Sequence, residues 1–201
     1  GASDVGGACA GSAGLRSAGL ASEVLVGTVI GFPHGSTSTA AKVAEVKQAL
    51  ADGASELDMV LNISWLRSGL DDLVAADIAA VVEASAGRVV KVIFETAYLS
   101  DDEIVRACRA SETAGANFVK TSTGFAQGGA TVADIALMRA NVGPAMGVKA
   151  SGGVRSLDTL LELAEAGATR FGTSASTVIV DEAEARLAGA APSSAADDSS
   201  Y

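Results

Sequence analysis

A parallel α/β fold closed as a (β/α)8 barrel is what this sequence predicts, on three observations. From residue 24 to residue 188, apolar runs of strand length alternate with Ala-rich segments of helical length and carry no hairpin signal. Each strand must then return through a helix and lie parallel to its neighbour. Hydrophobic residues make up 49% of the chain and aromatics only 4%, which leaves Ala, Val, Leu and Ile to build strands covered by helices. The third observation is parity. Leu57, Met59 and Leu61 share one face of their run while Glu56 and Asp58 share the other, and Val90, Val92 and Phe94 oppose Lys91 and Glu95. An open doubly wound sheet is apolar on both faces, so charge recurring on one face points to a barrel interior that opens into a site.

Taken in order, strands are expected at 24–32, 56–62, 89–95, 118–123, 147–151 and 170–174, and helices at 39–51, 71–84, 101–114, 132–141, 157–166 and 177–188. Ser100 with Glu103 has capping-box spacing, and Thr131 with Asp134 is a weaker version of it. Gly53, Gly115 and Gly167 each precede Ala in the same helix exit. These are six units where a closed barrel has eight, so the first one or two are expected to be missing or degenerate. Residues 1–23 are Gly/Ala/Ser-rich and read as a linker or damaged start. Gly1 stands where a methionine is usual, the mark of a fragment or processed chain. The barrel domain is placed at 24–188, and the small, polar tail 189–201 is expected to be disordered.

At 201 residues the chain is one domain by length. Its formal net charge of −10 argues against a nucleic-acid or anionic-membrane surface, so an anionic ligand needs a local basic or N–H-rich site. Cys9 and Cys108 are too few and too far apart for a disulfide or metal framework, and a reduced cytoplasm is the expected compartment. No apolar run approaches a membrane span.

The chemistry is carried by two lysines at strand ends, Lys120 in FVKTSTG and Lys149 in GVKASGG, 29 residues apart. That spacing is one strand–helix–strand unit and sets the two runs side by side, about 5 Å apart. Two ammonium groups ~6 Å apart at an effective dielectric of ~20 repel by roughly 3 kcal/mol, enough to free one amine near neutral pH. A neutral lysine attacks carbonyls. Snorkelling into solvent is the ordinary fate of strand-end lysines, and the matching Gly/Ser/Thr surroundings at unit spacing argue against it here. Asp58, facing inward, is a proton carrier or an ion-pair partner of Lys149, and the two roles are compatible. Glu95 is expected to pair with Lys91 or another lysine, and the lone His34 to stay outside catalysis.

The runs VGTVIGFPHG, ELDMVLNI, KVIFET, FVKTSTGF, GVKASGGVR and RFGTS, in this order and spacing, resemble the deoxyribose-phosphate aldolases, class I aldolases with a TIM-barrel fold. The resemblance implies reversible cleavage of 2-deoxy-D-ribose 5-phosphate to D-glyceraldehyde 3-phosphate and acetaldehyde, with neither a metal nor an organic cofactor. It makes Lys120 the Schiff-base lysine, Lys149 the lysine that tunes it and Asp58 the proton-relay carboxylate. The phosphate is expected at Gly152, Gly153, Gly172 and Ser174, with Gly124 contributing. In such barrels the last two strand–helix loops and a helix N-terminus bind phosphate through backbone N–H groups. Ala175 stands where members often have a second serine, and Tyr201 where some end in a tyrosine that reaches the site. The expected partners are the phosphorylated sugar and aldehyde, and a homodimer is one assembly such a chain could form. Two rival readings are an isomerase or epimerase that uses Asp58 without a covalent imine, and an inactive truncated remnant.

Overall fold

The computed structural model describes residues 25–189. The expectations for residues 1–24 and 190–201, Cys9 and Tyr201 included, lie outside the described residues. Six strands, β1 Gly27–Ile30, β2 Glu56–Val60, β3 Val89–Ile93, β4 Phe118–Lys120, β5 Gly147–Ser151 and β6 Arg170–Gly172, form one sheet in chain order. Every neighbouring pair is parallel. The helices are α1 Thr39–Ala51, α2 Ile63–Arg67, α3 Asp71–Ala84, α4 Asp101–Thr113, α5 Val132–Ala140, α6 Leu157–Glu165 and α7 Ser176–Leu187, with a 3-10 turn at Thr96–Tyr98.

The sheet is curled into a half-barrel. Glu56 on β2 is held by Arg170 on β6 through two hydrogen bonds of 2.8 and 2.6 Å. In a flat sheet, strands four places apart lie ~19 Å from each other, more than the two side chains can span. The concave face carries the charges. The convex face carries Leu57, Met59, Val90 and Val92, all fully buried with Ile78 and Val81 of α3, Ala107 of α4 and Met138 of α5. Parity therefore sorts the faces as expected.

Two devices anchor the end of β2. Lys42 of α1 is fully buried and donates to Asp77 of α3 at 2.5 Å and to the Val60 carbonyl at 3.0 Å, while Thr39 donates to the other Asp77 oxygen at 2.6 Å. The turn after β1 then closes on the segment after β2. Gly35, at φ +66°, sits so near that a Cβ would lie 1.9 Å from the Leu61 carbonyl oxygen, so only glycine fits. α4 begins with the expected capping box, Ser100 Oγ accepting from Glu103 N at 3.4 Å and Glu103 accepting from Ser100 N at 2.8 Å.

α2 was not anticipated. Asn62, read as the last residue of a strand, instead caps α2 by accepting from Trp65 N at 3.1 Å. An Asn side chain satisfies the first free N–H groups of a helix, and here that turns the chain straight from β2 into a helical turn.

Candidate active site

Strand register builds the site. Asp58 lies beside Lys91, Lys120 beside Lys149, and Lys149 beside Arg170. All five face the concave side, where Asp58 gathers three ammonium groups. Its Oδ1 accepts from Lys91 at 2.7 Å, and its Oδ2 from Lys120 at 2.7 Å and Lys149 at 3.0 Å. Lys91 also donates to Glu56 at 2.9 Å, and Glu56 is forked onto Arg170. A continuous chain, Arg170–Glu56–Lys91–Asp58, thus orients the carboxylate shared by Lys120 and Lys149. Lys120 is the least enclosed of the three lysines, at 8% exposure against 1% for Lys149 and 0% for Lys91.

These six side chains carry four cations against two carboxylates, within a chain whose formal net charge is −10. Positive charge concentrated in a curled, low-dielectric face focuses an anion there despite the acidic exterior.

The Lys149 amine is lowered to about 7, first by burial and second by the neighbouring Arg170 guanidinium. Asp58 pulls the other way, but its charge is divided among three ammonium groups. The sequence expectation placed the lowered amine on Lys120 through repulsion by Lys149. For Lys149 itself, burial outranks charge as the cause.

Glu95 does not pair with Lys91, which is taken up by Glu56 and Asp58. At φ +56° the Glu95 backbone leaves the strand, and its carboxylate accepts instead from Thr123 N at 3.3 Å and from the Thr123 hydroxyl. His34 is exposed on the turn after β1. Cys108 is buried behind the sheet, its thiol pushed up to about 12 by burial and then by Glu112, a group poorly suited to nucleophilic chemistry.

The glycines expected at the phosphate stand in two kinds of place. Gly124 and Gly153 have φ of +86° and +76° with open space where a Cβ would be. Gly152 and Gly172 are crowded: a Cβ at 152 would lie 3.0 Å from Gly129 Cα, and one at 172 only 2.5 Å from Ser151 Oγ. Ser174 is exposed just before α7, whose N-terminus has no side-chain cap from Ala175.

Arg170, Glu56 and Thr123 were missed as members of the site. Glu56 could have been found, since it shares parity with Asp58. Arg170 carried no local signal, because only the curl of the sheet brings β6 to β2.

A family model described as DeoC/LacD family aldolase matches residues 11–179. The chain belongs to this family. It is 58% identical over 161 residues to a deoxyribose-phosphate aldolase of Lysinibacillus sphaericus, covering 80% of this chain and 72% of that protein. It is 56% identical over 164 residues to one of Streptococcus suis, with 82% and 74% covered. Among solved structures, the fold matches QR15, an aldolase, with a TM-score of 0.80 and 41% identity over 86% of this chain and 79% of that one. A tetrameric deoxyribose phosphate aldolase from Aeropyrum pernix gives 0.76 and 33%, over 87% and 73%. The aldolase family thus matches nearly all the described strands and helices, and every residue of the concave charge cluster lies within the matched range.

Proposed function

We propose that this protein is a cytoplasmic deoxyribose-phosphate aldolase that cleaves 2-deoxy-D-ribose 5-phosphate to D-glyceraldehyde 3-phosphate and acetaldehyde through an imine on Lys120. The observation that carries the reading is the single Asp58 oxygen shared by Lys120 and Lys149. Lys120 is the more open lysine and meets the substrate. Lys149, with an amine near 7, is the buried partner that takes up and returns protons across Asp58.

Attack of the Lys120 nitrogen on C1 and loss of water give a protonated imine, which is the electron sink the cleavage needs. Asp58 and Lys149 remove the C3 hydroxyl proton. The C2–C3 bond then breaks, with its electron pair passing to C2 as the enamine and C3 leaving as the aldehyde of glyceraldehyde 3-phosphate. Protonation of C2 and addition of water release acetaldehyde and restore the Lys120 amine. The phosphate rests against the Gly152–Gly153 and Gly172–Ser174 loops and the uncapped start of α7, with Gly124 beside it. N–H groups there supply the site that the acidic chain otherwise lacks. The six described strand–helix units are taken as consecutive units of a (β/α)8 barrel.

Release of glyceraldehyde 3-phosphate from the sugar phosphate, followed by a coupled dehydrogenase, tests the reading. Asp58→Asn is expected to lower kcat by ~10²-fold or more with a small change in KM, because it removes the shared proton acceptor. Absence of cleavage by the parent protein would sink the reading.

A further inference from the structure

Among the described residues, the buried hydroxyls with no hydrogen-bond partner include Ser151 Oγ, two residues beyond Lys149. Strand side chains alternate, so Ser151, the last residue of β5, faces the concave side with Lys149, about 6–7 Å nearer the carboxyl end of the sheet. It is 7% exposed. Its backbone is locked, because Thr121 Oγ1 donates to the Ser151 carbonyl at 3.0 Å and accepts from Ser151 N at 3.1 Å. Beside it, in register, is Gly172. A Cβ there would lie 2.5 Å from Ser151 Oγ and 3.5 Å from Lys149 Cε, so only a glycine at 172 leaves room for the hydroxyl beside the lysine. A fixed, buried hydroxyl without a partner is costly unless a ligand or water completes it.

We propose that Ser151 is a specificity-determining residue, its hydroxyl hydrogen-bonding the C4 hydroxyl of the sugar phosphate, which is the 2-hydroxyl of the aldehyde acceptor in the reverse reaction. The inference rests on the aldolase reading. Its placement follows from chain order along β5. Lys149 serves the C3 oxygen, and the glycines directly after Ser151 serve the phosphate. Between the C3 oxygen and the phosphate ester the sugar carries one further oxygen, on C4. Ser151 lies between the two protein groups as that oxygen lies between the two substrate groups.

The test is acceptor selectivity in the condensation with acetaldehyde. The value of kcat/KM is measured for glyceraldehyde 3-phosphate and for 3-oxopropyl phosphate, the same acceptor without the hydroxyl, and the ratio of the two is followed. Ser151→Ala and the near-isosteric Ser151→Cys are each expected to lower that ratio about fivefold to tenfold, with thermal unfolding confirming that the variants are folded. A purely structural role would lower both values together and leave the ratio in place. A fall of less than threefold in the folded variants overturns the assignment of Ser151 while the aldolase reading stands. A parent protein that condenses acetaldehyde with neither acceptor overturns both.

Discussion

Lys149 is subject to two opposing demands. Burial and Arg170 favour its neutral amine, while Asp58 favours the ammonium, and the balance near 7 leaves the group able to exchange a proton at neutral pH. Turnover should therefore rise with pH through this region. Arg170→Gln removes the second cause of the lowering, so the limb of the pH–rate profile should move upward, by up to about one unit, a tenfold loss of neutral amine at fixed pH. A limb that stays in place or moves down would show that Arg170 does not set it. Stability carries the same signature. The folded value lies below the ordinary lysine value of 10.5, so the unfolded chain binds the extra proton between about 7 and 10.5, and the contribution of Lys149 to stability rises with pH across that window. Urea midpoints of the parent protein relative to Lys149→Met should shift in favour of the parent from pH 7 to pH 9.5. A constant difference would mean that the amine is not held low.

At the scale of the elements, the strands and helices were legible wherever local chemistry decides them. Helices α1 and α3 begin and end at the expected residues, and β5 does too. The other strands end earlier than their apolar runs, because the chain turns at Gly31, Asn62 and Glu95 while hydrophobicity continues. Lys120, Lys149 and Asp58 could be read from parity and spacing. The partner of Glu95 could not, since it depends on one left-handed residue that breaks the alternation. Two substitutions separate roles at this scale. Ser100→Ala removes half of the capping box on α4 and should cost about 1 kcal/mol, read as a lower melting temperature with KM unchanged. Gly153→Val places a branched side chain at φ +76° in the open space of the phosphate loop. KM for the sugar phosphate should rise at least tenfold, with the slow reaction of unphosphorylated deoxyribose much less affected. Equal losses on the two substrates would point to a general folding defect.

On the scale of the whole molecule, curl converts six charges spread over five strands into one cluster. Glu56 and Asp58 lie on β2, Lys91 on β3, Lys120 on β4, Lys149 on β5 and Arg170 on β6, so adjacent pairing alone would leave β2 far from β5 and β6. Only a concave sheet lets Asp58 reach Lys149 and Glu56 reach Arg170. This long-range closure is why Arg170 could not be assigned from sequence. It also makes one lysine, the least enclosed of the three held by Asp58, the expected nucleophile. The direct test is borohydride reduction in the presence of acetaldehyde at neutral pH, followed by peptide mapping. The account predicts a single ethyl group on Lys120, formed well ahead of any other lysine, whereas labelling of Lys149 instead, or of all lysines at similar rates, would contradict it.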